Sequence, residues 1–197
     1  LDLALALDPT HLSLYGLTVE AHTPLGRWAE RGQVREADED RYAEEFLLAD
    51  RVMTGAGFEH YEVSNFGRPG FRSRHNSSYW KWVPYLGLGP AAHGFDGRER
   101  RWNARAYTDW LARTRLLDDP VEGRELIGAA EAAAEAVYLG LRTTDGLRVH
   151  QDEMKTVTPW IEHGWGAMHG DRLVLTPQGW LRLDSLAAAL TSLRSPS

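Results

Sequence analysis

The chain has 197 residues, 43% hydrophobic and 25% charged, with a net charge of −6, which is enough for one large or two small globular domains with a buried core. It has no cysteine, which excludes disulfides, thiolate metal sites and cysteine nucleophiles within it. No apolar run reaches membrane-spanning length, and the opening LDLALALDP carries acids where a signal peptide carries bases, so a cytoplasmic setting is expected.

The chain starts at Leu1, inside what reads as the end of a helix, and so reads as the C-terminal portion of a longer protein. Residues 11–20, HLSLYGLTVE, are rich in β-formers and read as a buried strand. Pro24 fits a first helical position. Residues 36–51 read as a surface helix, with Tyr42, Phe46 and Leu47 near helical spacing and acids crowding its start. Gly55-Ala56-Gly57 stops it. Residues 58–66, FEHYEVSNF, alternate apolar and polar as a second strand. Strand, helix and strand at this spacing make a βαβ unit, so parallel pairing and an α/β fold are expected.

Residues 67–74 form a loop, and residues 102–116 read as an amphipathic helix starting at Asn103. Asp118-Asp119-Pro120 is the clearest domain boundary. Beyond it, residues 122–141 read as an alanine-rich helix, followed by two short helices to His163. Residues 167–176 read as a hairpin turning at Gly170-Asp171. Thr176 as N-cap and Pro177 at the first position then open a last helix to Leu193. The expected organisation is residues 1–66, 67–119 and 120–197, the last a small helical, winged-helix-like domain. A winged helix raises the possibility of DNA binding, but net −3 over residues 120–197 argues against a nucleic-acid partner.

Charge is uneven along the chain: residues 1–64 carry net −8, while residues 65–119 carry net +5. The basic block also holds RHNSSYWKWVPYLGLGPAAHG at residues 74–94. Basic and aromatic groups together suit a flat ligand with carboxylates or phosphates, although buried aromatics under a solvated arginine face explain the same composition. His75 has the chemistry of an axial ligand for heme iron. Tyr79, Trp80 and Trp82 would wall the macrocycle, and Arg68, Arg72 and Arg74 would pair with its carboxylates. On residue chemistry alone, a turn or cap hydrogen bond is the commoner role for a single histidine. Gly87-Leu88-Gly89-Pro90 permits close backbone approach by a ligand or a plain turn, and it does not match the dinucleotide fingerprint. Glu20 and Glu62, near predicted strand ends, suit either ligand contact or capping. No spacing among the remaining histidines marks a zinc site.

Five segments occur in the order found in the coproporphyrinogen-oxidase-like radical SAM proteins: HLSLYGLTVEAHTPL, YEVSNFGRPG, RHNSSYW, YLGLGPAAHG and EAVYLGLRTTDGL. The chain resembles that family over nearly its whole length, and its His-Asn-x-x-Tyr-Trp segment resembles the HemW-like heme-chaperone branch. The resemblance implies the C-terminal part of a partial (β/α) barrel followed by the family's C-terminal domain. It implies heme or another tetrapyrrole at His75, Tyr79 and Trp80, with His75 as the candidate iron ligand and a heme-accepting apoprotein as partner. It also implies Tyr15, Gly16, Leu17 and Ala92 on the S-adenosylmethionine side. The family holds a [4Fe–4S] cluster with three cysteines near its N-terminus, so that cluster and S-adenosylmethionine chemistry are expected of the full-length protein only. The cysteine-free chain is expected to be inactive by itself, and no catalytic residue is assigned. The implied function is heme binding and transfer; the alternative is oxygen-independent oxidation of coproporphyrinogen III.

Overall fold

A computed structural model describes residues 1–194. By contacts the chain divides into two units, Leu1–Ser73 with Gly140–Leu186, and Arg74–Leu139 with the residues from Ala187 on.

In the first unit, β1 (His11–Ser13) is followed by helices Pro24–Glu30 and Glu39–Gly55, then β2 (Glu59–Glu62) and β3 (Asn65–Gly67). Both helices start where side-chain chemistry permits. Thr23 Oγ1 accepts from Gly26 N at 3.0 Å with Pro24 in the first turn, and Asp38 Oδ1 accepts from Arg41 N at 2.9 Å. The Asp38 cap sets the long helix's start at Glu39, three residues later than the charge pattern suggests.

Three expectations change here. The strand expected over residues 11–20 stops at Ser13. The strand expected over residues 58–66 is two strands, because the chain reverses at Val63-Ser64. The expected parallel pair is not found among the described residues, since β1 and β2 each pair antiparallel with β3, which lies between them. The reversal has a local cause. Glu62 Oε2 accepts from Ser64 N at 3.1 Å and from the Asn65 side chain, and the register shifts between His60 and Glu62. β1 and β2 therefore run the same way, as a βαβ unit requires, with a short hairpin arm between them.

Met53, Phe58 and Phe66 form the core under this sheet, flanked by Leu5, Leu12, Leu14 and Ala56. The His60 ring stacks on Phe66 at 3.9 Å, with Nδ1 2.8 Å from Asp50 Oδ1 and Nε2 3.1 Å from the Val63 carbonyl.

The same unit includes β7 (Leu147–Arg148), the short turn Gln151–Glu153, helix Met154–Glu162, β8 (Gly166–His169), β9 (Arg172–Leu175) and helix Pro177–Trp180. The expected hairpin is present, with Gly170 at φ 65° in the turn and sheet order β7-β9-β8. Thr176 caps as expected, accepting from Gly179 N at 3.2 Å. The expected final helix is interrupted, however, at Leu181-Arg182 and resumes as Leu183–Arg194. A Cβ on Gly179 would lie 1.9 Å from the Trp165 carbonyl oxygen, so only glycine fits there. The last three residues of the expected 120–197 domain lie outside the described residues.

Two of the quoted segments meet in this unit. Thr144 N donates to the Tyr61 carbonyl at 3.0 Å, Val63 N to the Arg142 carbonyl at 3.3 Å, and Arg142 Nε lies 2.5 Å from Glu62 Oε1. Glu62 is fully buried, so its charge is tolerable only because Arg142, Asn65 and Ser64 N surround it.

The second unit contains helix Arg74–Trp80, then β4 (His93–Phe95), β5 (Glu99–Asn103), helix Tyr107–Arg115 and β6 (Val121–Leu126), with sheet order β4-β5-β6, all antiparallel. The helices expected over residues 102–116 and 122–141 both start late, at Tyr107 and at Ala129. Trp102 and Asn103 belong to β5, and residues 121–126 pair with it. The Trp102 indole lies over Gly123 on the neighbouring strand, where a Cβ would come within 2.3 Å of the ring. Cross-strand packing of this kind outweighs the helix propensity of Glu122, Glu125 and Leu126.

Candidate functional site

Helix Arg74–Trp80 places His75 and Tyr79 one turn apart on the same face. The Tyr79 hydroxyl lies 2.8 Å from His75 Nε2, with ring centroids 4.9 Å apart at 81°. His75 is exposed; Tyr79 and Trp80 are half-buried. The Tyr85 ring packs edge-on against Tyr79, with centroids at 4.7 Å and planes at 89°. Tyr85 is itself tied to β4 by two backbone bonds, Tyr85 N to the Phe95 carbonyl at 2.8 Å and Phe95 N to the Tyr85 carbonyl at 2.9 Å. A sheet-anchored tyrosine thus braces the tyrosine that touches the histidine.

Two residues past the helix, Trp82 has a left-handed φ of 56°, a conformation that costs a bulky residue energy and usually selects glycine. Its indole recovers part of that cost against Phe95, 5.4 Å away, and by donating Nε1–H to Glu135 at 3.2 Å. Arg100 donates to both oxygens of Glu135, at 2.6 Å to Oε1, and its guanidinium lies 5.9 Å from the Phe95 centroid. The hydrogen bond to Glu135 holds the Arg100 guanidinium above its ordinary value, and burial pushes the Tyr85 phenol up.

The Gly-x-Gly-Pro turn is tied by Asn103, whose Nδ2 donates to the carbonyls of Gly87 at 3.2 Å and Gly89 at 2.8 Å. A Cβ at Gly87 would meet the His93 carbonyl oxygen at 2.4 Å, so its close backbone approach is to its own chain. Ala92 follows the turn, its carbonyl accepting from Asn103 N at 3.0 Å. Tyr15, Gly16 and Leu17 lie in the first unit outside any strand, Tyr15 and Leu17 both exposed. Gly16 and Leu17 line an open groove of about 860 Å³ together with Arg35, Arg41, Tyr42 and Arg182. The Tyr42 ring would lie 2.3 Å from a Cβ on Gly16, so Gly16 makes room for that ring.

Two of the three arginines expected to meet ligand carboxylates already have partners in the first unit. Arg68 pairs with Asp8 at 2.9 Å, and Arg72 with Glu59 at 2.9 Å and Asp145 at 3.7 Å. Each guanidinium also lies on a nearby ring, Phe58 or Tyr61. Arg74 is exposed beside His75. Glu20 is exposed and Glu62 is the buried structural carboxylate already described. Sequence reasoning missed Tyr85, Phe95, Arg100 and Glu135 as parts of the cluster. Glu135 opens the quoted segment EAVYLGLRTTDGL, which was the one available signal.

The chain is 38% identical over 195 residues to the heme chaperone HemW of Mycobacterium tuberculosis, covering 96% of this chain and 49% of the relative. It is 36% identical over 191 residues to HemW of Synechocystis sp., covering 90% of this chain and 46% of the relative. It belongs to the HemW family of radical S-adenosylmethionine proteins. The mouse radical S-adenosyl methionine domain-containing protein 1, mitochondrial, is 37% identical over 149 residues, covering 72% of this chain and 34% of the relative. No protein-family model matches the chain. Coproporphyrinogen III oxidase (HemN) of Escherichia coli, a radical SAM enzyme, shares the mixed α/β fold with a TM-score of 0.66 at 13% identity, over 98% of this chain and 50% of that one. The HemW-family chain thus spans about half the length of the curated relatives it matches.

The residues present fit some of the groups this family implies and not others. An exposed imidazole against braced aromatic rings suits heme. A [4Fe–4S] cluster does not fit, because the chain has no cysteine and the described residues hold no group of three or more His, Asp or Glu able to hold a metal. Among the described residues no helix is long and apolar enough to cross a membrane.

Proposed function

We propose that this chain is the heme-holding portion of a HemW-type chaperone, with His75 as the iron ligand and Tyr79 and Trp80 as the aromatic wall. The observation that carries the reading is an exposed histidine on a helix whose neighbouring tyrosine is braced by Tyr85. A solvated imidazole beside aromatic rings that are themselves braced suits a ligand that arrives from solution and leaves again. Heme is cargo here, and transfer to an apoprotein requires a site that is open. Arg74 is the arginine placed to meet a heme carboxylate. Residues 1–66 are the last units of the barrel of the full-length protein, with Tyr15, Gly16 and Leu17 on its S-adenosylmethionine side.

The test is a hemin titration of the purified protein and of His75→Ala. His75→Ala is expected to weaken binding at least tenfold and to change the Soret band. An unchanged band and affinity would remove His75 as ligand. Turnover of coproporphyrinogen III by the full-length protein would favour the oxidase reading instead.

A further inference from the structure

The outer ring nitrogen of His75, Nε2, which reaches furthest from the backbone towards a flat ligand, is covered. His75 Nε2 lies 2.8 Å from the Tyr79 hydroxyl. A ring nitrogen has one position in the ring plane, occupied either by its own proton or by its lone pair. Whether Nε2–H donates to the phenol oxygen or the lone pair accepts the phenol proton, that position is taken. An iron bond and this hydrogen bond therefore exclude one another at Nε2.

The two partners are held unequally. The Tyr79 ring is half-buried and packed against Tyr85, which is fastened to β4 through Phe95. The His75 side chain is exposed, so turning it away breaks one hydrogen bond and one edge-on ring contact. Turning Tyr79 would in addition open its packing against Tyr85.

We propose that Tyr79 is a positioning residue whose hydroxyl closes His75 Nε2 in the heme-free protein, and that His75 turns off this hydroxyl to take up heme. The inference rests on the heme-holding reading and deepens it by naming what holds the ligand closed.

The test is Tyr79→Phe, which keeps the ring and removes the hydroxyl, read in two ways. Without heme, carbethoxylation of His75 by diethyl pyrocarbonate is followed by peptide mass spectrometry. Loss of the bond is expected to speed labelling about 2- to 12-fold, the range for one net hydrogen bond. With hemin as the probe, Tyr79→Phe is expected to bind tighter by a similar factor. Tyr107→Phe, on helix Tyr107–Arg115 with its ring against Trp110, is expected to leave His75 labelling unchanged. Labelling of Tyr79→Phe at or below the original rate, or hemin affinity unchanged or weaker, overturns the proposal. Unchanged hemin binding in His75→Ala defeats the heme-ligand reading itself, while the heme-free labelling still reports whether the hydroxyl covers Nε2.

Discussion

The chain carries two polar clusters built on opposite terms. In the first unit Glu62 is fully buried and enclosed by Arg142, Asn65 and Ser64 N, so its charge does nothing but join two segments. In the second unit His75 sits at the surface with Tyr79 as its contact, and the order lies behind it in Tyr85 and Phe95. Satisfying every partner of a buried group produces stability that depends on each member. Bracing a group from one side and leaving the other side open produces a site. Substitutions in the first cluster should therefore act on folding, and those in the second on ligand binding.

The largest effect that tests this contrast is Arg142→Ala, which strands the Glu62 carboxylate and should cost about 3–5 kcal/mol. Urea denaturation would read it as a lower midpoint, and a loss under about 1 kcal/mol would mean Glu62 is not held by this pair. Next, Thr176→Ala removes the cap on helix Pro177–Trp180 and should cost about 0.5–2 kcal/mol, again by denaturation. His75→Ala should change stability by no more than about 0.5 kcal/mol, as for exposed positions generally, while hemin affinity falls; a cooperative transition shifted as far as in Arg142→Ala would erase the contrast.

The smallest effect is a pH dependence in the β4–β5 turn. Asp96 accepts from Glu99 N at 2.8 Å and Arg98 N at 2.9 Å. These bonds, with Arg101 and Arg98 nearby, hold its carboxyl below the usual range. A lowered native value means its contribution is present above the ordinary aspartate range and is lost as pH falls through the native value. A carbon-detected NMR titration should place Asp96 below a random-coil aspartate, and Asp96→Asn should remove that acid dependence.

Much of the first cluster's neighbourhood was legible in the chain. Thr23-Pro24 and Thr176-Pro177 cap helices as their chemistry dictates, and Gly170-Asp171 turns the hairpin. Glu62 was visible as a candidate carboxylate, but its role was not, because Arg142 lies 80 residues away in sequence. The errors share one cause. Residues 122–126 and Trp102-Asn103 read as helix by local propensity, and pairing in the β4-β5-β6 sheet made them strand. Residues 58–66 alternate like one strand, and the Glu62 side chain folded them back on themselves.

For the second cluster, sequence alone determined the family segments and the candidate residues His75, Tyr79 and Trp80; that residues 74–80 form a helix, which puts His75 and Tyr79 one turn apart, was not read from it. Tertiary structure decided that Tyr85, Phe95, Arg100 and Glu135 stand behind that pair, and that Arg68 and Arg72 are engaged with carboxylates of their own unit. It also decided that β3 lies between β1 and β2. Those outcomes depend on contacts between residues far apart in the chain, where burial and pairing outweigh the preferences of any short segment.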